Sequence, residues 1–352
     1  MNLYDGEHDL SEFYHEVKKY ESNIPNFGET DITKFKYGQS NLNTQIYTLI
    51  FRENADEENF KNFLNNISEE TIYEFTKLVA SAGKIKLFLA IIRSYDISIN
   101  FENNILLNIA ILYKSVQIVE YLVKSGADVT SNNNLAIKLA SRVNYNDYII
   151  QILIDNGSNV HVQDDFPVRM AAYAADFDNI KVLVKNGADI HSKNDFVLRY
   201  ISHMSYICRT LDTTYGSDKD KYFSDIIKYL VENGANIHAD DEYALKISIT
   251  RGRFRAVQIL LEAGADIRSL NASYLLRAIT SRKDDIFELL IEYGINLSMI
   301  NNYQNTILEP STAIINKVCD LGVDPKKLAE MMHYIICEFF NEKIENYITN
   351  NI

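Results

Sequence analysis

A short phrase returns along this chain at a nearly fixed pitch, and a chain that repeats itself about every thirty residues has few folds open to it. It reads YLVKSGADV at 121–129, LIDNGSNV at 153–160, LVKNGADI at 183–190, YLVENGANI at 229–237, LLEAGADI at 260–267 and LIEYGINL at 290–297. The glycines of the phrase are Gly126, Gly157, Gly187, Gly234, Gly264, Gly294 and, in a weaker copy, Gly322, so the successive gaps are 31, 30, 47, 30, 30 and 28 residues. Self-similarity at this period means one supersecondary unit stacked on copies of itself. A unit this short buries too little apolar surface to offset the entropy of ordering it, so neighbours must share their apolar faces.

Each unit reads as a helical hairpin. Upstream of each glycine, apolar residues three and four apart form one stripe, as in Ile118, Val119, Leu122 and Val123, or Val257, Ile259, Leu260 and Leu261. The glycine then stops the helix, because the position after the last turn takes a left-handed backbone that a residue without Cβ adopts freely. About eleven residues further on comes a second pattern, a large residue followed three later by a mostly small one. The pairs are Leu107 with Ala110, Ile137 with Ala140, Val168 with Ala171, Leu198 with Ile201, Leu245 with Ser248 and Leu275 with Ala278. Small residues let a second helix approach closely. Polar links join the units: TSNNN at 130–134, HVQDD at 161–165, HSKND at 191–195 and HADDE at 238–242. Asn134, Asp165, Asp195 and Asp241, the last Asn or Asp of each link, are predicted to cap the amides of the helix that follows.

Composition removes several classes of activity. The formal net charge is -13, the wrong sign for neutralising phosphates, so nucleic acid is not an expected partner. The opening MNLYDGEHDLSEFYHEVKK has acidic residues and no apolar signal core, and no run of 18 apolar residues occurs, so neither secretion nor a membrane is expected. Cys208, Cys319 and Cys337 are isolated and odd in number, which suits a reducing cytoplasm and neither a disulfide framework nor zinc. With 44 Ile and 36 Asn against 4 Pro and no Trp, the chain favours residues with A/T-rich codons. No Gly-rich phosphate loop, G-x-S-x-G or H-E-x-x-H stands anywhere, so no enzyme and no cofactor are expected. His161, His191 and His238 recur four residues after a glycine. Layers of helices about 8 to 10 Å apart hold them too far from one another to share a metal, and they are expected to bond loop backbone. Lys138, Arg169, Arg199 and Lys246 follow the large residue of the first helix and are expected to brace neighbouring loops.

The segments RGRFRAVQILLEAGADI at 251–267 and ASAGKIKLFLAIIRSYDI at 80–97 resemble the second-helix half of ankyrin repeats, and the likeness extends over about residues 73–324. Two departures stand out. The family's T-P-L-H-x-A opening is replaced by forms such as DFVLRYI and DEYALKIS, and the links are about three residues shorter, so its projecting β-hairpins are expected to shrink to tight turns. This short-linked, Asn- and Ile-rich style is similar to that of ankyrin repeat proteins of giant DNA viruses such as mimivirus. The resemblance implies an all-α, ankyrin-type solenoid and a non-enzymatic scaffold for protein–protein interaction. It further implies a monomer that binds host proteins in the host cytoplasm.

Three regions lie outside the regular pattern. Residues 1–72 are expected to form an N-terminal helical cap or degenerate repeat; the alternative is a recruiting module that would make the chain a substrate adaptor for a ubiquitin ligase. Residues 73–324 then hold about eight repeats, with an insertion from Ser205 to Lys221 inside the 47-residue gap. Pro325 opens an amphipathic stretch with Leu328, Met331, Ile335 and Phe339, expected to cap the last repeat through residue 352. By analogy with the family's groove, the partner-binding residues are those that end the first helix of successive units: Leu112, Tyr113, Tyr173, Ala174, His203, Met204, Thr250, Arg251, Thr280 and Ser281.

Overall fold

The computed structural model describes residues 13, 15–18, 69–204, 219–280, 284–302 and 320. The chain forms two compact units, Met1–Asp189 and Ile190–Ile352. In the first unit, helices α1 (Glu69–Ser81), α3 (Phe101–Leu112), α5 (Ser131–Arg142) and α7 (Val162–Tyr173) each begin a hairpin. Their partners are α2 (Ile85–Tyr95), α4 (Val116–Lys124), α6 (Asp147–Asp155) and α8 (Phe177–Lys185). First helices pack on first helices and second on second, with each hairpin closed by its own pair. The second unit repeats the plan with α9 (Ser192–His203) and α10 (Lys219–Glu232), α11 (Ala239–Arg251) and α12 (Phe254–Glu262), and α13 (Ala272–Thr280) and α14 (Asp284–Glu292). No strand occurs among the described residues, so the links are turns and not hairpins. α10 opens at Lys219, so the final three residues of the expected insertion are helical; Ser205 to Asp218 lie outside the described residues, as does the stretch beyond Pro325.

The large and small residues of the first helices meet at the centre of each stack. Leu107, Ala110, Ile137, Ala140, Val168, Ala171, Leu245 and Ala278 are fully buried, against Ile118, Leu122, Ile150, Leu153, Ile180, Leu183 and Leu260 from the second helices. Each aliphatic side chain buried in this way contributes about 1.5 to 3 kcal/mol.

The repeated glycines end the second helices as the pattern predicts. At Gly187 (φ 92°) the glycine amide donates to the Val184 carbonyl at 3.0 Å and the Ala188 amide to the Leu183 carbonyl at 3.0 Å. The same pair of bonds closes α4, α6, α10, α12 and α14. These are Schellman stops, which satisfy carbonyls that the helix would otherwise leave open.

The links depart from expectation. Gln163, Asp164 and Asp165 have φ of 53°, 54° and 55°, a full left-handed turn of non-glycine residues, and the same triple recurs at Glu102–Asn104, Asn132–Asn134, Lys193–Asp195 and Asp240–Glu242. The right-handed part of α7 therefore begins at Phe166, which is why Pro167 sits there without breaking it. A left-handed residue costs about 1 to 2 kcal/mol, least for Asn and Asp, and the next helix offsets that cost. Arg199, fully buried, donates from Nε to the Asn194 carbonyl at 2.8 Å and from Nη2 to the Lys193 carbonyl at 3.0 Å. Arg169 does the same for Asp164 and Gln163. Neighbouring links are braced as expected by Lys138, which donates to Gln163, and by Arg199, which meets Asp240 at 3.2 Å; Lys246 holds Asp241 of its own link.

The predicted caps require correction. None of α5, α7, α9 or α11 receives a side-chain cap. The last left-handed residue instead reaches the next repeat: Asn134 accepts the amide of Asn159 at 2.8 Å, Asp165 that of Asp189 at 2.8 Å, and Asp195 that of Asn236 at 2.7 Å. In the final link the buried residue in this register is Glu242, while Asp241 points to solvent. The histidines need a correction too. Nδ1 of His161 meets Asp165 at 2.9 Å, that of His191 meets Asp195 at 3.0 Å, and that of His238 meets Glu242, so the ring partner is a carboxylate and not the loop backbone. Among the described residues no group of three His, Cys, Asp or Glu side chains is placed to hold a metal ion.

Candidate functional site

Five first helices turn into their partners through a tip built on one left-handed residue: Gly83, Lys114, Tyr145, Ala175 and Gly252, with φ between 51° and 68°. The amides that follow fold back on the helix, as where Ser115 donates to Ala110 at 2.8 Å, Asp176 to Ala171 at 3.0 Å and Arg253 to Ser248 at 2.9 Å. Tip residues before the left-handed position therefore project from the hairpin, and those after it turn inward. Ser115, Asn146, Asp176 and Arg253 are buried; Tyr113 is 44% exposed.

In the first unit, a polar lattice locks neighbouring tips together. The Tyr145 amide donates to Asp176 Oδ2 at 2.7 Å, the Asn146 amide to Asn179 Oδ1 at 3.1 Å, and Asn144 Nδ2 to the Ala174 carbonyl at 3.0 Å. Asp176 also caps α8 by accepting the Asn179 amide at 2.8 Å. Burial raises the pKa of its carboxyl above the usual carboxylate value, helped by the charges of Asp178 and Asp147, while the two amides pull the other way. The lattice holds Tyr145 in a conformation that a bulky side chain rarely takes, at φ 59° and 45% exposed, with the Lys114 ammonium 5.3 Å from its ring centre. Tyr113, Lys114 and Tyr145 thus form an exposed aromatic and basic rim on rigid backbone.

The second unit places a different group at its tips. His203 stacks on Tyr243 and shares a 2.8 Å hydrogen bond with its hydroxyl through Nδ1, while Arg251 donates from Nη2 to Nε2 at 3.3 Å. With Nε2 accepting, the ring proton lies on Nδ1 and donates to the Tyr243 oxygen. Burial, reinforced by the charges of Arg251 and Arg253, lowers the His203 pKa to about 4, so the ring is neutral at pH 7.

The residues expected at the partner surface divide accordingly. Leu112, Tyr173, Ala174, His203, Met204, Thr250 and Arg251 stand at the ends of first helices, and all are half-buried. Thr250 donates to the Lys246 carbonyl, and Tyr173 meets Phe13 edge-on at 6.2 Å. Thr280 ends α13, but its side chain, like the whole of Ser281, lies outside the described residues. Tyr145 lies outside the expected set, and the stretch RVNYND carries no glycine to betray its left-handed position.

The first-helix face of unit 1 carries a further group. Phe13 and His15–Lys18 are helical, and Phe13 and Glu16 meet α7. Glu16 accepts from Nη1 of Arg169 at 2.8 Å and from Nη2 at 3.4 Å. The Arg169 guanidinium lies 5.2 Å from the Phe13 ring and 5.3 Å from that of Phe166. Burial lowers the Lys138 pKa while the Glu16 charge opposes it.

A family model described as ankyrin repeats (3 copies) matches residues 107–194 and 217–307, together about half of the chain. The chain belongs to the ankyrin repeat family. An ankyrin repeat protein of Acanthamoeba polyphaga mimivirus is 25% identical over 304 residues, covering 85% of this chain and 92% of that relative. A second from the same virus is 34% identical over 119 residues, 30% of this chain and 38% of its own length. Among solved structures, the ankyrin repeat domain of human ASB11 aligns with a TM-score of 0.49 at 15% identity, covering 63% of this chain and 98% of that one. That of Bcl-3 aligns at 0.41 and 18% identity, covering 55% and 87%. No helix among the described residues is long and apolar enough to cross a membrane.

Proposed function

We propose that this ankyrin repeat chain is a non-enzymatic scaffold that holds a protein partner on the first-helix tips, and that it acts on host proteins of an infected amoeba. The observation that carries this reading is the rim of Tyr113, Lys114 and Tyr145. Exposed aromatics on a backbone fixed by buried hydrogen bonds lose little entropy on binding, the property that concentrates binding energy in few residues. The viral origin of the matched relatives supports a host target. Among residues 1–72, Phe13 and Val17 bury their side chains within unit 1, with Phe13 against α7, which favours recognition by the repeats over recruitment of a ligase by that segment.

Affinity capture from amoebal lysate with the wild-type chain and with Tyr113→Ala/Tyr145→Ala tests the reading. A protein held by the wild type and lost at least tenfold from the double variant, with the melting temperature unchanged, is the expected result. Equal capture by both would move the site off the tips.

A further inference from the structure

The segment around Phe13 is seated on the face of unit 1 as a ligand would be. Phe13, Glu16 and Val17 share one side of a helical turn, at spacings of three and four residues. Phe13 and Val17 are 2% and 1% exposed. Arg169 offers a fork whose Nε and Nη2 are already fixed by the Asp164 and Gln163 carbonyls, so it meets a carboxylate with little ordering left to do. Phe166 and Tyr173 supply aromatic walls, with the Phe166 ring centre 6.1 Å from that of Phe13. The equivalent arginine one repeat on, Arg199, meets Asp240 from the following link, but the position matching Asp240 in the link after Arg169 is Lys193. At Arg169 the carboxylate is that of Glu16.

We propose that Phe166, Arg169 and Tyr173 form a docking site for an amphipathic helix carrying an aromatic residue, an acid three positions later and an aliphatic residue four positions later. Phe13, Glu16 and Val17 are its resident occupant, which a partner helix of the same pattern displaces. This inference rests on the scaffold reading above and names one partner class for the first-helix face.

The probe is a fluorescent peptide of residues 10–20, LSEFYHEVKKY, titrated by anisotropy against the full chain. The wild type, with its own segment in place, is expected to bind weakly. Glu16→Arg, which sets two cations against each other and expels the segment, is expected to bind at least tenfold tighter. Adding Arg169→Glu to that variant restores an opposite-charge pair within the chain and repels the peptide, so binding falls back. Should Glu16→Arg lose its fold by circular dichroism, Phe13→Ala expels the segment by a different route and carries the same expectation. Equal binding by wild type and expelled variants overturns the proposal, as does binding indifferent to Arg169→Glu. A wild-type dimer that Glu16→Arg converts to monomer also overturns it, by assigning the segment to a second copy. If the peptide fails while the Tyr113/Tyr145 capture result holds, the docking site falls and the scaffold reading stands.

Discussion

The carboxylate of Asp195 accepts the amide of Asn236 at 2.7 Å, a bond between residues 41 apart in sequence that joins one link to the next across the 47-residue gap. The same bond runs from Asp165 to Asp189 over 24 residues and from Asn134 to Asn159 over 25. The lengthened repeat therefore keeps the register of the shorter ones, and in each unit these bonds belong to the packing of neighbouring hairpins and not to any one hairpin.

Removing a rung should cost what a buried unpaired amide costs. Asp195→Ala is expected to lower stability by about 1 to 3 kcal/mol, because the Asn236 amide and the His191 ring lose their acceptor together. Asp241→Ala, at a position whose side chain is 84% exposed and paired only with Lys246, should change stability by less than about 1 kcal/mol. Urea midpoints of the two variants check this. Equal losses would return Asp241 to the capping role that the sequence suggests.

The glycine stops make a second prediction. A Cβ at Gly187 would meet no atom within 4 Å, so the residue is needed for its φ of 92° and not for space. Gly187→Ala should cost about 1 to 2 kcal/mol, and Gly187→Asn less, since Asn tolerates the left-handed region. Thermal melting of the two variants measures the order; a larger loss for Asn would point to crowding instead.

His203 gives the second unit a pH dependence of known sign. The unfolded chain takes a proton on this ring near pH 6.5, whereas the folded ring, buried beside Arg251 and Arg253, resists until about pH 4. The stability that depends on a neutral ring is complete above pH 6.5 and is lost as pH falls toward 4, because the unfolded state then binds more protons. Urea midpoints measured across this range should fall more steeply for the wild type than for His203→Gln. Parallel curves would show that the ring titrates normally.

The elements that the sequence made legible are those where one residue type alone fits. Only glycine takes φ near 90° without strain, so the stops at Gly126, Gly157 and Gly187 could be read directly, and the burial of Ala110, Ala140 and Ala171 followed from spacing. The links are ambiguous in sequence because a short polar side chain serves equally as a helix cap, a left-handed residue or an acceptor for a distant amide. Nothing local at Asp165 announces a partner 24 residues away. Tyr145 escaped notice for the opposite reason: its backbone contradicts its propensity and is held by Asp176 from the next repeat. Glu16 and Arg169, separated by 153 positions, fall outside any repeat-based reading.

Photo-crosslinking from single positions tests the scaffold account most directly. A photoreactive residue is placed in turn at Tyr113 on a first-helix tip and at Lys185 on the last turn of a second helix, and the full chain is irradiated in amoebal lysate. The account predicts a discrete crosslinked protein from position 113, abolished by Tyr145→Ala, and none from position 185. Crosslinks of equal yield from both positions, or from 185 alone, would contradict it.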